Sequence, residues 1–126
     1  MRNIIVIAVF TILASSCGGP FPSGALGGTE MTLAEAPAFT EDLVIQLETR
    51  PSDPYTVTIN AFAIDGALYI DPAPDRTWAG HLAADPLVRI NVGDDNAYAA
   101  KVYPVTDAEL LARFEADRTV YRIGER

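Results

Sequence analysis

Trp78 and His81 are the only tryptophan and the only histidine in the chain, and Arg76 stands just ahead of them. An indole stacks on planar rings, an imidazole passes protons near neutral pH, and a guanidinium holds anions. Each role has a plain competitor. Trp78 equally serves as the apolar plug of a small fold, since a side chain of its size buries ~150–250 Å². A proton-transferring His81 needs a defined partner, and the sequence shows none. One histidine and one cysteine do not make a zinc site, so no metal is expected. Arg76, Arg89 and Lys101 are candidate anion ligands, set against their reading as solvated surface charges. Thr58 and Asn60, in line with Thr56, form a polar row that either meets a ring edge or faces water. Serine-nucleophile arrangements and phosphate-cradling glycine motifs are absent from the sequence.

Cys17 carries chemistry of another kind. Met1-Arg2-Asn3 precedes an apolar run from Ile4 to Ala14, and Ser15 and Ser16 lead into the cysteine. A short positive start, an apolar stretch and small residues are the marks of a signal peptide. The run is too short to cross a bilayer of ~30 Å, which takes about 20 helical residues. A lone cysteine cannot close an internal disulfide. Leu-Ala-Ser-Ser-Cys resembles the bacterial lipoprotein processing motif, in which the cysteine is acylated and becomes the new N-terminus; Leu commonly stands where this chain has Ala14. The competing reading is a secreted protein with a stray thiol. The resemblance implies a cell-envelope protein held by its lipid chains, at ~0.8 kcal/mol per buried CH₂. Gly18 replaces the Asp that often retains Gram-negative lipoproteins at the inner membrane, so the expected site is the outer membrane, facing the periplasm.

Without residues 1–16 the chain keeps eight basic against seventeen acidic residues, a net charge of minus nine. Such a surface repels nucleic acid and anionic headgroups, so the membrane is reached through lipid and nucleic acid is not a partner.

The remaining chain fits one domain. Residues 17–38 read as a lipidated N-terminus and tether, because 18–28 are almost wholly Gly, Pro and Ser; one helical turn fits between Thr29 and Pro37. The folded domain is expected at 39–126. Leu43, Ile45 and Leu47 alternate with polar residues, and Tyr55, Val57 and Ile59 do the same, which predicts two strands. Asp65-Gly66 predicts a hairpin into a strand over Ala67–Ile70. Arg76 to Ala84 reads as a short helix with Asp75 at its start, and Asp85-Pro86 stops it. Val88, Ile90 and Val92 share one face of the next strand. Placing Val92 opposite Tyr98 on the returning strand matches apolar faces and sets Arg89 against Lys101. Thr106 and Glu109 form a capping box for a C-terminal helix, followed by a short strand in Thr-Val-Tyr-Arg-Ile. The fold class expected is mainly β (α+β): a small antiparallel barrel with a short helix between its third and fourth strands and a C-terminal helix.

The pattern Trp78-xxx-Leu82-x-Ala84-Asp85-Pro86-x-Val88, then Val92-Gly93, then Val105-Thr106-Asp107-x-Glu109 resembles a family. It is similar to the split β-barrel of the pyridoxamine-phosphate-oxidase-like superfamily, in particular its deazaflavin-dependent nitroreductase branch. The resemblance implies a groove, at a homodimer interface, that takes FMN or a deazaflavin. It places Arg76, Trp78, His81, Thr58 and Asn60 as candidate cofactor-binding residues; no catalytic residue is assigned. The departures matter as much. Where that branch has a Gly-rich, basic phosphate loop, this chain has Asp-Pro-Ala-Pro-Asp at 71–75. Prolines donate no N–H, and two acids oppose a phosphate. Ala79-Gly80-His81 stands where the branch has Tyr-His-Asn. Two readings follow: a degenerate, non-catalytic binding module that keeps the fold, or a flavin- or deazaflavin-dependent oxidoreductase of the nitroreductase kind.

Overall fold

The computed structural model describes residues 24–126. Cys17, Gly18 and the apolar run of the expected signal peptide lie outside the described residues. Along the chain come β1 (Thr29–Thr32), a 3-10 turn (Leu33–Glu35), β2 (Leu43–Thr49), β3 (Tyr55–Ile64) and β4 (Ala67–Ile70). Then come α1 (Thr77–Ala84), β5 (Leu87–Asn91), β6 (Asn96–Pro104), α2 (Ala108–Leu111) and β7 (Tyr121–Gly124).

Six of the strands close a ring. β2 pairs with β3 and β5, β3 with β4, β4 with β7, β7 with β6, and β6 with β5, every pair antiparallel. This is the small, mainly β barrel with two helices that the strand pattern predicts. Its interior follows the period of two: Ile45 and Leu47, Leu68 and Ile70, Val88 and Ile90, and Tyr98, Ala100 and Val102 are all buried together. Between β3 and β4, Asp65 (φ 51°) and Gly66 (φ 83°) both lie in the left-handed region. Two such residues are what a type I′ turn needs to match strand twist. Leu82, 2% exposed, drops from α1 into the core, and Trp78 packs half-buried against the same cluster. The stopper of the barrel is therefore Leu82, with Trp78 at its margin.

Three local expectations are corrected. The first is the tether. Leu26 is buried, and β1 lies parallel to β6 as a seventh strand. The packed unit thus reaches well into the 17–38 stretch. Gly28 (φ 108°) serves close approach, since a Cβ there would lie 2.7 Å from the Asp95 carbonyl oxygen. The second is the register of β5 on β6, where Ile90, not Val92, faces Tyr98; Arg89 faces Ala99 and Lys101 faces Leu87. The third is helix capping. Arg76 takes the N-cap of α1 with no side-chain bond, and Asp107, not Thr106, caps α2 by accepting from the Glu109 N–H.

Candidate functional site

β3 is ten residues long and β4 only four, and their ladder covers just Phe62–Ile64 against Ala67–Tyr69. Beyond Ile70 the sequence Asp71-Pro72-Ala73-Pro74 leaves the sheet, because proline fixes φ and constrains the residue before it. The chain swings out and returns as α1. Between the abandoned half of β3 and the 71–78 segment lies a groove of about 730 Å³. Its floor and near wall come from β3: Tyr55, Val57, Thr58, Ile59, Asn60 and Phe62. Its far wall is Asp71, Pro72, Ala73, Asp75, Arg76, Thr77 and Trp78, and Glu115 and Arg118 close the end.

Four of the five residues named from sequence, Thr58, Asn60, Arg76 and Trp78, line this one groove. They come from two elements about twenty positions apart, brought together by the short hairpin at Asp65-Gly66. Thr58 and Asn60 point to the outer, polar face of β3 and are exposed, as is Arg76.

The groove's charge is set mostly by acids. Asp71, Asp75 and Glu115 face Arg76 and Arg118. Arg118 is already engaged: its Nη1 donates to the Asp71 carbonyl at 2.9 Å and reaches Asp71 Oδ2 at 3.4 Å, while Nη2 lies 2.8 Å from Glu115 Oε2 and Nε 3.7 Å from Asp117 Oδ1. Burial pushes the Asp71 carboxyl up, against the opposing pull of Arg118. Arg76 is the one groove cation with no ion pair among the described residues. The 71–75 wall makes a poor phosphate cradle, since Pro72 and Pro74 have no N–H to donate.

His81 stands apart from the groove, behind Tyr55. Its ring meets the Tyr55 ring edge-on at 4.8 Å, and its Nδ1 lies 2.9 Å from Thr49 Oγ1. Thr49 Oγ1 also lies 3.2 Å from the Tyr55 carbonyl, which can only accept; when the hydroxyl proton goes there, the proton of the His81 contact is carried on Nδ1. Burial first, and then the nearby Arg50 charge, lower the imidazole's proton affinity, while Asp53 works the other way. In this position His81 fixes the end of β3 through Tyr55.

Arg89 is neither a free anion ligand nor a solvated surface charge. Arg89 stands directly across from Glu48 on the outer face of the β2–β5 pair and donates to both its carboxylate oxygens, at 2.8 and 2.7 Å. It also donates to Glu30 Oε1 at 2.7 Å and to the Leu26 carbonyl at 3.1 Å. Glu48, fully buried, accepts from the Leu26 N–H at 2.8 Å. The pair is a clasp that binds the 24–32 segment to the barrel. Lys101 lies over the ring of Tyr103 at 5.4 Å. Sequence reasoning missed Glu48, Glu115 and Arg118. A buried glutamate one strand from an arginine carries no local signal, and the last two reach the groove only through the barrel's closure.

Comparison with family models, curated proteins and solved structures finds no match to this chain. Among the described residues no helix is long and apolar enough to cross a membrane, and no cluster of His, Cys, Asp and Glu forms a metal site.

Proposed function

We propose that the chain is a lipid-anchored envelope protein whose barrel is a non-catalytic ligand-binding module, a degenerate form of the flavin-binding split barrel it resembles in sequence. The observation that carries this reading is the charge of the groove. Trp78, Thr58 and Asn60 suit the side and edge of a planar group, but the place where a cofactor phosphate belongs is edged by Asp71, Asp75 and Glu115. The one cation near a helix start is Arg76, on an exposed turn. A nucleotide phosphate does not fit these residues, and no step of flavin chemistry is derived through them. The alternative, a flavin- or deazaflavin-dependent oxidoreductase, requires that phosphate to be held.

Two experiments test the proposal. Titration of the purified chain with FMN, followed by absorbance in the flavin bands, is expected to show no saturable binding. Micromolar binding lost in Arg76→Ala would favour the oxidoreductase. For the anchor, Cys17→Ser is expected to move the protein from the membrane to the soluble fraction. Continued membrane association of that variant would refute lipidation at Cys17.

A further inference from the structure

The groove is bounded by an unpaired strand edge, and that edge has a direction. In an antiparallel ladder successive residues turn their N–H and C=O groups to opposite sides. The two-residue turn at Asp65-Gly66 makes Ile64 and Ala67 a hydrogen-bonded pair. By alternation Phe62, Asn60 and Thr58 then face the β4 side, while Ile59 and Val57 bond to β2. The Tyr55 carbonyl, held by Thr49 of β2, has the matching sense. Phe62 is met by Tyr69, but Asn60 and Thr58 have no backbone partner on that side among the described residues. Their donors and acceptors open into the groove.

We propose that the groove binds an extended, basic peptide segment of a partner protein, added as a strand to the free edge of β3. This rests on the reading of the groove as a binding site and names its ligand class. An added strand would lie ~4.8 Å from β3 and take its main-chain bonds from Thr58 and Asn60. Alternate side chains of the peptide would meet Trp78 and Tyr55 on one side. On the other, Asp71, Asp75 and Glu115 against Arg76 and Arg118 leave the groove one negative charge in excess, and Asp75 has no ion pair among the described residues, so a basic segment suits it better than an acidic one. A second copy of this chain is a poor occupant. Exposed edges invite edge-to-edge pairing, but this one is recessed behind the 71–78 wall. Two recessed edges cannot reach each other, whereas a single strand can enter.

The test uses the full chain purified in detergent and a fluorescein-labelled heptapeptide of alternating valine and lysine, read by polarisation and by Trp78 emission. Saturable binding is expected, weakened at least about tenfold when the lysines become glutamates. Backbone N-methylation of one alternate set of peptide residues is expected to weaken binding by a similar factor of about ten, and of the other set to leave it within about twofold. In the protein, Thr58→Pro removes an N–H that faces the groove and not β2, and is expected to abolish binding; if that variant does not fold, the methylated peptides carry the test. Absence of saturable binding overturns the proposal. So does equal binding of both methylated peptides, which would mean attraction by charge alone, or a dimer of the chain that Thr58→Pro dissolves. FMN titration of the same sample reports on the module reading separately.

Discussion

Glu48 and Arg89 bring a buried charge pair to the outer face of the barrel, where the 24–32 segment covers it. Taking one partner from such a pair leaves the other uncompensated, at a cost of roughly 3–5 kcal/mol. Glu48→Leu is therefore expected to lower the melting temperature sharply, measured by circular dichroism; an unchanged melting temperature would contradict the clasp. The pair also gives a pH dependence. Burial alone would raise the Glu48 carboxyl, but the bonds from Arg89 and the Leu26 N–H outweigh it and hold the group below the ordinary glutamate value. A lowered carboxyl stabilises the fold above its unfolded pKa of about 4.3 and loses that contribution as pH falls through the folded value. His81 acts at higher pH. Its affinity for a proton is lowered in the fold, so its contribution is complete above the unfolded value of about 6.5 and is lost as pH falls below it. His81→Gln is expected to flatten the melting-temperature profile below about pH 6.5, leaving the drop near pH 4 in place. A profile with an unaltered slope in the higher window would contradict the Thr49–His81–Tyr55 arrangement.

Among the elements, α1 joins fold and site. Leu82 fills the core while Trp78, one turn earlier, borders the groove. Leu82→Ala is expected to cost roughly 2–5 kcal/mol, seen as a shift of the denaturant midpoint, and a shift equivalent to less than about 1 kcal/mol would mean that another residue stoppers the barrel. Much of this level was legible in the sequence. Period-two alternation found β2, β3 and β5, and Asp65-Gly66 marked the hairpin into β4, because these signals are local. The β5–β6 register was not legible. Val92 and Ile90 lie on the same face, so a slip of two residues leaves the apolar match intact, whereas a slip of one would reverse the faces. The choice is made at the turn, where the Asn91 side-chain N–H groups donate to the Asp94 and Asn96 carbonyls and its Oδ1 accepts from the Gly93 N–H. β1 was hidden for a different reason: its approach through Gly24, Gly27 and Gly28 has the composition of a linker. At the site, Thr58, Asn60, Arg76 and Trp78 converge on the groove, and the acids at 71 and 75 could be read as a departure from a phosphate loop. That β3 outruns β4 follows from Asp71-Pro72-Ala73-Pro74, which ends β4 soon after the turn; that no other strand takes up the freed edge was not readable, since it depends on how the barrel closes.

At the scale of the whole molecule, a chain of net charge minus eight closes a barrel and leaves one long strand half paired. The groove, with Asp71, Asp75 and Glu115 against Arg76 and Arg118, carries the same sign as the protein's overall field. Trp78, as the only tryptophan, reports on the groove without a label. The most direct test of the account compares riboflavin with FMN, two ligands that share a ring and differ by a phosphate, by Trp78 fluorescence at fixed low ionic strength. The account predicts that the phosphate adds nothing: FMN binds no more tightly than riboflavin, whatever the ring contributes. FMN binding at least about tenfold tighter than riboflavin, a gain of about 1.4 kcal/mol from the phosphate alone, would contradict it.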